Sequence, residues 1–261
     1  MTRIPVIPNR DLGQHFLVDE NILRVAGRLA ELDERDVVLE VGAGLGVLTE
    51  FLAERVAHVH AVEVDRALEP HLRERLGARQ NVELIFGDVL ALPLGSLDPA
   101  PTKLVANLPY QVATPVVVES LDGLPRVGLW CVMVQREVAD RFFALPGTKA
   151  YGAVSVLVQL TTERTGFHPV ARTCFHPPPN VDSALIAFRR RRVWGPEYAA
   201  LKEVVQAAFA HRRKTLANSL DLSGIERARV GRALAAMNLS DDIRAERLAP
   251  DEFVRLAELL L

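Results

Sequence analysis

Short β-rich apolar runs alternate with stretches whose apolar residues recur every three or four positions, and this rhythm starts at Val37. Val37–Val41, His58–Val62, Val82–Phe86, Leu104–Ala106 and Leu129–Val134 read as strands. Leu48–Arg55, Arg66–Leu76, Thr114–Leu121 and Glu137–Phe143 read as the helices between them. Such alternation predicts an α/β fold with a parallel sheet and helices on both faces. Tyr151–Leu160 fits either element, because its β-branched residues suit a strand and its apolar spacing suits a helix. Ser183–Phe188 reads as a last strand, and Tyr198–Ala210, Glu226–Met237 and Pro250–Leu261 as helices. The expected organisation is a sheet domain over residues 1–192 and a small all-helical domain over 193–261, divided at the basic run before Gly195-Pro196.

A chain of 261 residues with 49% hydrophobic content can bury a core of that size. No apolar run approaches the length of a bilayer span; Leu129–Val134 is typical of the longest. Met1-Thr2-Arg3-Ile4-Pro5 shows no basic region followed by an apolar core, so no signal peptide is expected. Cys131 and Cys174 stand alone without metal-like spacing, which suggests a reduced, cytoplasmic protein and no metal site. The net charge of −2 hides a division: residues 189–232 carry 11 Lys/Arg against 4 Asp/Glu, while 1–188 carry 17 against 23. A basic block inside an acidic protein is the footprint of a polyanion contact. Its two clusters are Arg189-Arg190-Arg191-Arg192 and His211-Arg212-Arg213-Lys214, so Arg189 to Arg192, Arg212, Arg213 and Lys214 are the candidate phosphate contacts.

Candidate chemistry gathers at the strand ends. Glu40-Val41-Gly42-Ala43-Gly44-Leu45-Gly46 follows the first strand and opens a helix, where glycines let backbone turn sharply and approach a ligand. A dinucleotide-binding protein would carry a similar loop, and also an acid such as Glu63 to take ribose hydroxyls. Asp88 ends the third strand, where a carboxylate can accept from an adenine amino group. Asn107-Leu108-Pro109-Tyr110 closes the fourth, and Pro109 stops that strand abruptly. The Asn107 carboxamide and the Leu108 carbonyl can both accept from an exocyclic amine, and Tyr110 can lie against the ring that carries it. In an open sheet, ligands bind outside the carboxyl ends of the strands. The combination favours S-adenosylmethionine over a nicotinamide cofactor, with an extruded nucleobase as acceptor.

Together these residues resemble the ribosomal RNA adenine dimethyltransferases over nearly the whole chain. Gly13-Gln14-His15-Phe16-Leu17 is similar to that family's cofactor-covering segment, and Val134-Gln135-Arg136-Glu137-Val138-Ala139 and Pro146–Gly152 to its target-side segments. Phe175-His176-Pro177-Pro178-Pro179-Asn180-Val181-Asp182-Ser183-Ala184 resembles its proline-rich loop. Arg212-Arg213-Lys214-Thr215-Leu216-Ala217-Asn218-Ser219-Leu220 resembles a signature of the small-subunit, KsgA-like branch. The resemblance implies a Rossmann-like class I S-adenosylmethionine-dependent methyltransferase sheet. It implies dimethylation of two adjacent adenosines in the 3′-terminal hairpin of small-subunit (16S) ribosomal RNA, the partner being that RNA or an immature 30S subunit. By motif position His15, Leu17, Gly42, Gly44, Glu63, Asp88 and Asn107 would line the cofactor site. Tyr110 and Phe175 would sandwich the base beside Asn107, Leu108 and Pro109.

The chain departs from the family pattern at His15, where Asn is commoner, at Gln111-Val112-Ala113, and in a leader, Ile4–Pro8, without Lys. Two rival readings are a large-subunit (23S) adenine methylase of the macrolide-resistance type and a non-catalytic ribosome-assembly factor on the same fold. The Arg212–Leu220 block speaks against the first, and the intact Asn107–Tyr110 motif against the second. Nothing in the sequence calls for more than a monomer.

Overall fold

A computed structural model describes residues 6, 8–9, 12–211 and 213–260. Arg212, one of the candidate phosphate contacts, and most of the leader lie outside them. The chain divides into two compact units, residues 1–139 with 164–190, and residues 140–163 with 191–261. The second unit therefore takes in a helical segment, 140–163, that sequence analysis assigns to the sheet domain.

In the first unit, β1 (Phe16–Leu17) and α1 (Glu20–Leu29) precede the alternating region. There follow β2 (Val37–Val41), α2 (Val47–Ala53), β3 (His58–Glu63), α3 (Glu69–Leu76) and β4 (Val82–Phe86). The chain then returns through β5 (Lys103–Asn107), α4 (Ala113–Gly123), β6 (Leu129–Gln135) and α5 (Arg136–Phe142). Helix α6 (Ala153–Thr161) leads into β7 (Thr162–Val170), β8 (Phe175–His176) and β9 (Ser183–Arg190). The seven-stranded sheet has the order β4-β3-β2-β5-β6-β9-β7. Strands β2 to β6 pair in parallel, and β9 runs antiparallel to β6. All five residues of β2 are buried, as expected of a central parallel strand. The strand order reverses between β2 and β5, which opens a crevice at their carboxyl ends.

Among the longer elements of this unit, two were not legible as periodic runs. Helix α1 precedes the alternation; it is capped by Asp19, whose side chain accepts from Asn21 N, and buries Ile22, Leu23 and Ala26. Strand β7 sits at the sheet edge, largely exposed in its middle, and contains Pro169, which only an edge strand tolerates.

The second unit is helical. Besides α6 it holds α7 (Glu197–Ala210), α8 (Leu216–Leu222), α9 (Arg227–Ala236) and α10 (Pro250–Leu260). Its ambiguous segment is a helix because it is buried nearly all round: Val154, Ser155, Val156, Leu157, Val158, Leu160 and Thr161 are all inside, so no polar face marks the period. Tyr151 is fully buried and donates from its hydroxyl to Leu248 O at 2.8 Å. The hydroxyl thereby satisfies itself while the ring fills the core between α7 and α10, beside Phe209. Helix α10 turns Phe253, Leu256, Ala257 and Leu260 inward at helical spacing.

Candidate functional site

The crevice at the carboxyl ends of β2 to β5 is a pocket built wholly within the first unit. His15, Leu17, Gly42, Gly44, Glu63, Asp88, Asn107, Leu108, Pro109 and Tyr110 all line it, so most of the candidate site residues come together there. The glycine loop is shaped by backbone needs. Gly42 has φ +82°, and a Cβ there would stand 3.1 Å from Pro109 Cδ. Gly44 has φ +56°, and its Cβ would press on the Phe16 ring at 3.3 Å. Only glycine accepts both the conformation and the approach.

Glu63, at the end of β3, is held by three backbone donors. Gly44 N donates to Oε2 at 2.8 Å, and Val64 N and Asp65 N donate to Oε1 at 3.0 and 2.9 Å. Burial raises its pKa, and those three N–H groups oppose the shift by favouring the charged form. The result is a carboxylate fixed in one orientation at the pocket wall. Asp88 does two jobs: its Oδ1 accepts from Leu90 N at 3.0 Å, forming the turn after β4, while the exposed residue still lines the pocket.

The segment 12–17 closes one side of the pocket. Gln14 Nε2 donates to Asp65 Oδ2 at 2.8 Å. His15 Nδ1 lies 2.7 Å from Pro177 O, and since a carbonyl only accepts, that nitrogen carries the hydrogen. Phe16 and Leu17 pair with His176 and Phe175 in the small β1–β8 sheet. Asn107 Nδ2 donates to His15 O at 3.3 Å. This uses one amide hydrogen on the covering segment and leaves Oδ1 as an acceptor. Leu108 N donates to Met133 O at 3.0 Å, which fixes the peptide that joins Asn107 to Leu108. Tyr110 stands half-buried, its hydroxyl 2.7 Å from Ser183 Oγ, and burial raises its pKa.

Two expectations need correction. Phe175 does not line the pocket: it is 3% exposed, pairs with Leu17 and belongs to the apolar core. It meets the covering segment through its pairing with Leu17, and of Phe16 and Tyr110, the two aromatics of this kind that line the pocket, the more accessible is Tyr110. The ring of His15 comes within 5.9 Å of it. Arg190 is committed to the fold. Its guanidinium donates to Val127 O, Leu121 O and Leu124 O at 2.7 to 3.0 Å and lies over Trp130, satisfying carbonyls at and beyond the end of α4. Arg189 is paired with Glu31 at 2.6 Å. Arg192 stacks on Trp194 at 3.6 Å, and Arg191 stands 3.9 Å from Glu163. Arg213 and Lys214 are exposed.

Sequence reasoning gave no separate role to Glu40, Gln14, Asp65 or Ser183. Glu40 lines the pocket at 1% exposure, and its Oε2 has no hydrogen-bond partner among the described residues. Burial, with Glu63 adding, pushes its carboxyl up to about 8. An acid inside a strand of buried valines was the one available signal. Ser183 was hidden because only the folded sheet brings it to Tyr110.

A sheet of this order, with a glycine loop, fixed acids and an Asn-Leu-Pro-Tyr turn at its strand ends, has the fold of the class I methyltransferases. It matches a dimethyladenosine transferase from Plasmodium falciparum with a TM-score of 0.77 at 22% identity, over 93% of this chain and 96% of that one. It matches the 23S rRNA methyltransferase ErmE with a TM-score of 0.65 at 29% identity, over 94% and 99%. The chain belongs to the ribosomal RNA adenine dimethylase family, whose model matches residues 8–261. Ribosomal RNA small subunit methyltransferase A of Rubrobacter xylanophilus is 47% identical over 249 residues, 95% of this chain and 94% of that protein. The protein of the same name from Moorella thermoacetica is 40% identical over 268 residues, 98% and 93%.

Proposed function

We propose that this protein transfers methyl groups from S-adenosylmethionine to the N6 amines of two adjacent adenosines in the 3′-terminal hairpin of small-subunit ribosomal RNA. It would act in the cytoplasm, as a monomer, on that RNA or on an immature 30S subunit. The observation that carries the reading is Asn107, whose Nδ2 is tied to His15 O so that Oδ1 is set as an acceptor at the pocket.

The pocket suits the donor chemically. The buried Glu40 carboxyl keeps one oxygen without a partner among the described residues, Glu63 offers a fixed carboxylate for ribose hydroxyls, and Asp88 keeps an oxygen for an adenine amine. When bound, the donor supplies a methyl group already activated on a positive sulfonium.

The chain's own part is positioning. Asn107 Oδ1 and Leu108 O hold the two hydrogens of the target amine, which favours a pyramidal nitrogen with its lone pair free. Holding that nitrogen in line removes much of the entropic cost of a two-molecule reaction. Tyr110 stacks on the extruded base, a contact worth about 1–3 kcal/mol. Alkylation makes the nitrogen cationic, so its proton leaves to water without a dedicated base. Arg213 and Lys214 contact phosphates without reading sequence.

Small-subunit RNA is favoured over large-subunit RNA by the relatives at 40–47% identity, which this chain spans almost end to end. Incubation with labelled donor and separated immature subunits tests the reading. Label should enter adenines of the small-subunit RNA. Label in the large-subunit RNA would support the rival branch, and label in neither would remove the transferase reading.

A further inference from the structure

At the opposite, amino-terminal end of β3, three side chains converge that the transfer reaction does not use. His58 and His60 lie two positions apart on β3 and so project from one face. Glu83 on β4 stands in register with His60. The ligand-type atoms of the three all lie within 4.8 Å of one another.

The hydrogen-bond chemistry of this cluster is incomplete as drawn by protein groups alone. His60 is fully buried, and its Nε2 is 2.8 Å from Pro99 O, an acceptor without hydrogens. That nitrogen therefore carries the ring hydrogen, and in a neutral imidazole Nδ1 is then a bare lone pair. Nδ1 lies 2.6 Å from Glu83 Oε2, another acceptor. Two lone pairs at that distance need a cation between them, either a proton or a metal ion. His58 brings the second observation. Its Nε2 is buried without a hydrogen-bond partner among the described residues, and stands 4.0 Å from the same Glu83 oxygen.

The geometry points to a structural divalent-metal site formed by His58 Nε2, His60 Nδ1 and Glu83 Oε2, taking a zinc-like cation. Two histidines and one glutamate are an established ligand set for zinc, with water completing a tetrahedron. Tetrahedral bonds of about 2.0–2.1 Å separate neighbouring ligand atoms by roughly 3.3 Å. The Glu83 oxygen sits 2.6 Å from one nitrogen and 4.0 Å from the other. A shift of well under an ångström makes both distances suitable, and the Glu83 side chain is 50% exposed and free to make it. The Pro99 carbonyl on the far nitrogen of His60 is the partner that orients a metal-bound imidazole. Such an ion would pin β4, the edge strand of the sheet, whose end carries Asp88 to the donor pocket.

The test uses the untagged full chain, stripped with chelator and titrated with Zn²⁺ by calorimetry and with Co²⁺ by visible absorption. One ion should bind per chain, Co²⁺ should show the intense bands of a four-coordinate site, and Zn²⁺ should raise the melting temperature. His58→Gln and Glu83→Gln should each weaken binding by at least about 10-fold. His168→Gln should leave it unchanged. Among the described residues His58 Nε2 makes no hydrogen bond for His58→Gln to remove, so the variant should fold. Absence of stoichiometric binding, or binding that His58→Gln and Glu83→Gln leave intact, would overturn the assignment and leave a proton between His60 and Glu83.

Discussion

The side-chain Nδ2 of Asn107 lies 3.3 Å from the backbone oxygen of His15, a residue 92 positions earlier. One bond thus ties the strand-end amide to the segment that closes one side of the pocket, and it settles which end of the carboxamide remains to accept. Asn107→Ala should keep the fold and lower turnover by about 100-fold or more, since the amine loses its alignment. Asn107→Asp should do the same, because a carboxylate cannot donate to His15 O. Circular dichroism and steady-state turnover check both variants, and unchanged turnover in either would remove Asn107 from the mechanism.

Tyr110 separates two effects. Tyr110→Phe loses the bond to Ser183 Oγ and should cost about 1 kcal/mol of stability while keeping the stacking face. Tyr110→Ala loses the face and should lower kcat/KM by roughly 5- to 150-fold, the equivalent of about 1–3 kcal/mol. Melting curves beside kinetics on RNA distinguish them.

Glu40 makes stability depend on pH in a definite direction. Its folded pKa, about 8, lies above the ordinary 4.5. The folded protein therefore holds a proton that the unfolded chain has released, so this contribution is full below pH 4.5 and is lost as pH rises toward 8. Melting temperature without donor should fall over that range, and Glu40→Gln should flatten the fall. Parallel curves for the two proteins would contradict the assignment.

The basic residues should divide. Arg213→Ala with Lys214→Ala should weaken RNA binding and make it less salt-dependent, with donor affinity intact. Arg190→Ala should chiefly destabilise the protein, by about 1–3 kcal/mol, because it leaves carbonyls near the end of α4 without their donor. Salt-dependent binding and thermal melting read the two outcomes.

Strand-end chemistry was legible because parallel strands are short, mostly apolar and followed at once by polar or glycine residues, as at Val41-Gly42 and Ala106-Asn107. Helix α6 was ambiguous because burial all round erased its period. Edge strand β7 showed no alternation because little of it is buried. The roles of Arg190 and Phe175 depend on partners 60 or more positions away, or on a two-residue sheet, and composition carries no trace of either. The His58–His60–Glu83 cluster was likewise invisible, since its third member arrives only through β3–β4 register.

The most direct measurement is a crystal structure of the protein with S-adenosylhomocysteine and a hairpin RNA bearing the two target adenosines. The adenine N6 should lie within about 3.2 Å of both Asn107 Oδ1 and Leu108 O, with the ring against Tyr110. An amine held by other groups, with Asn107 Oδ1 turned away from it, would contradict the account.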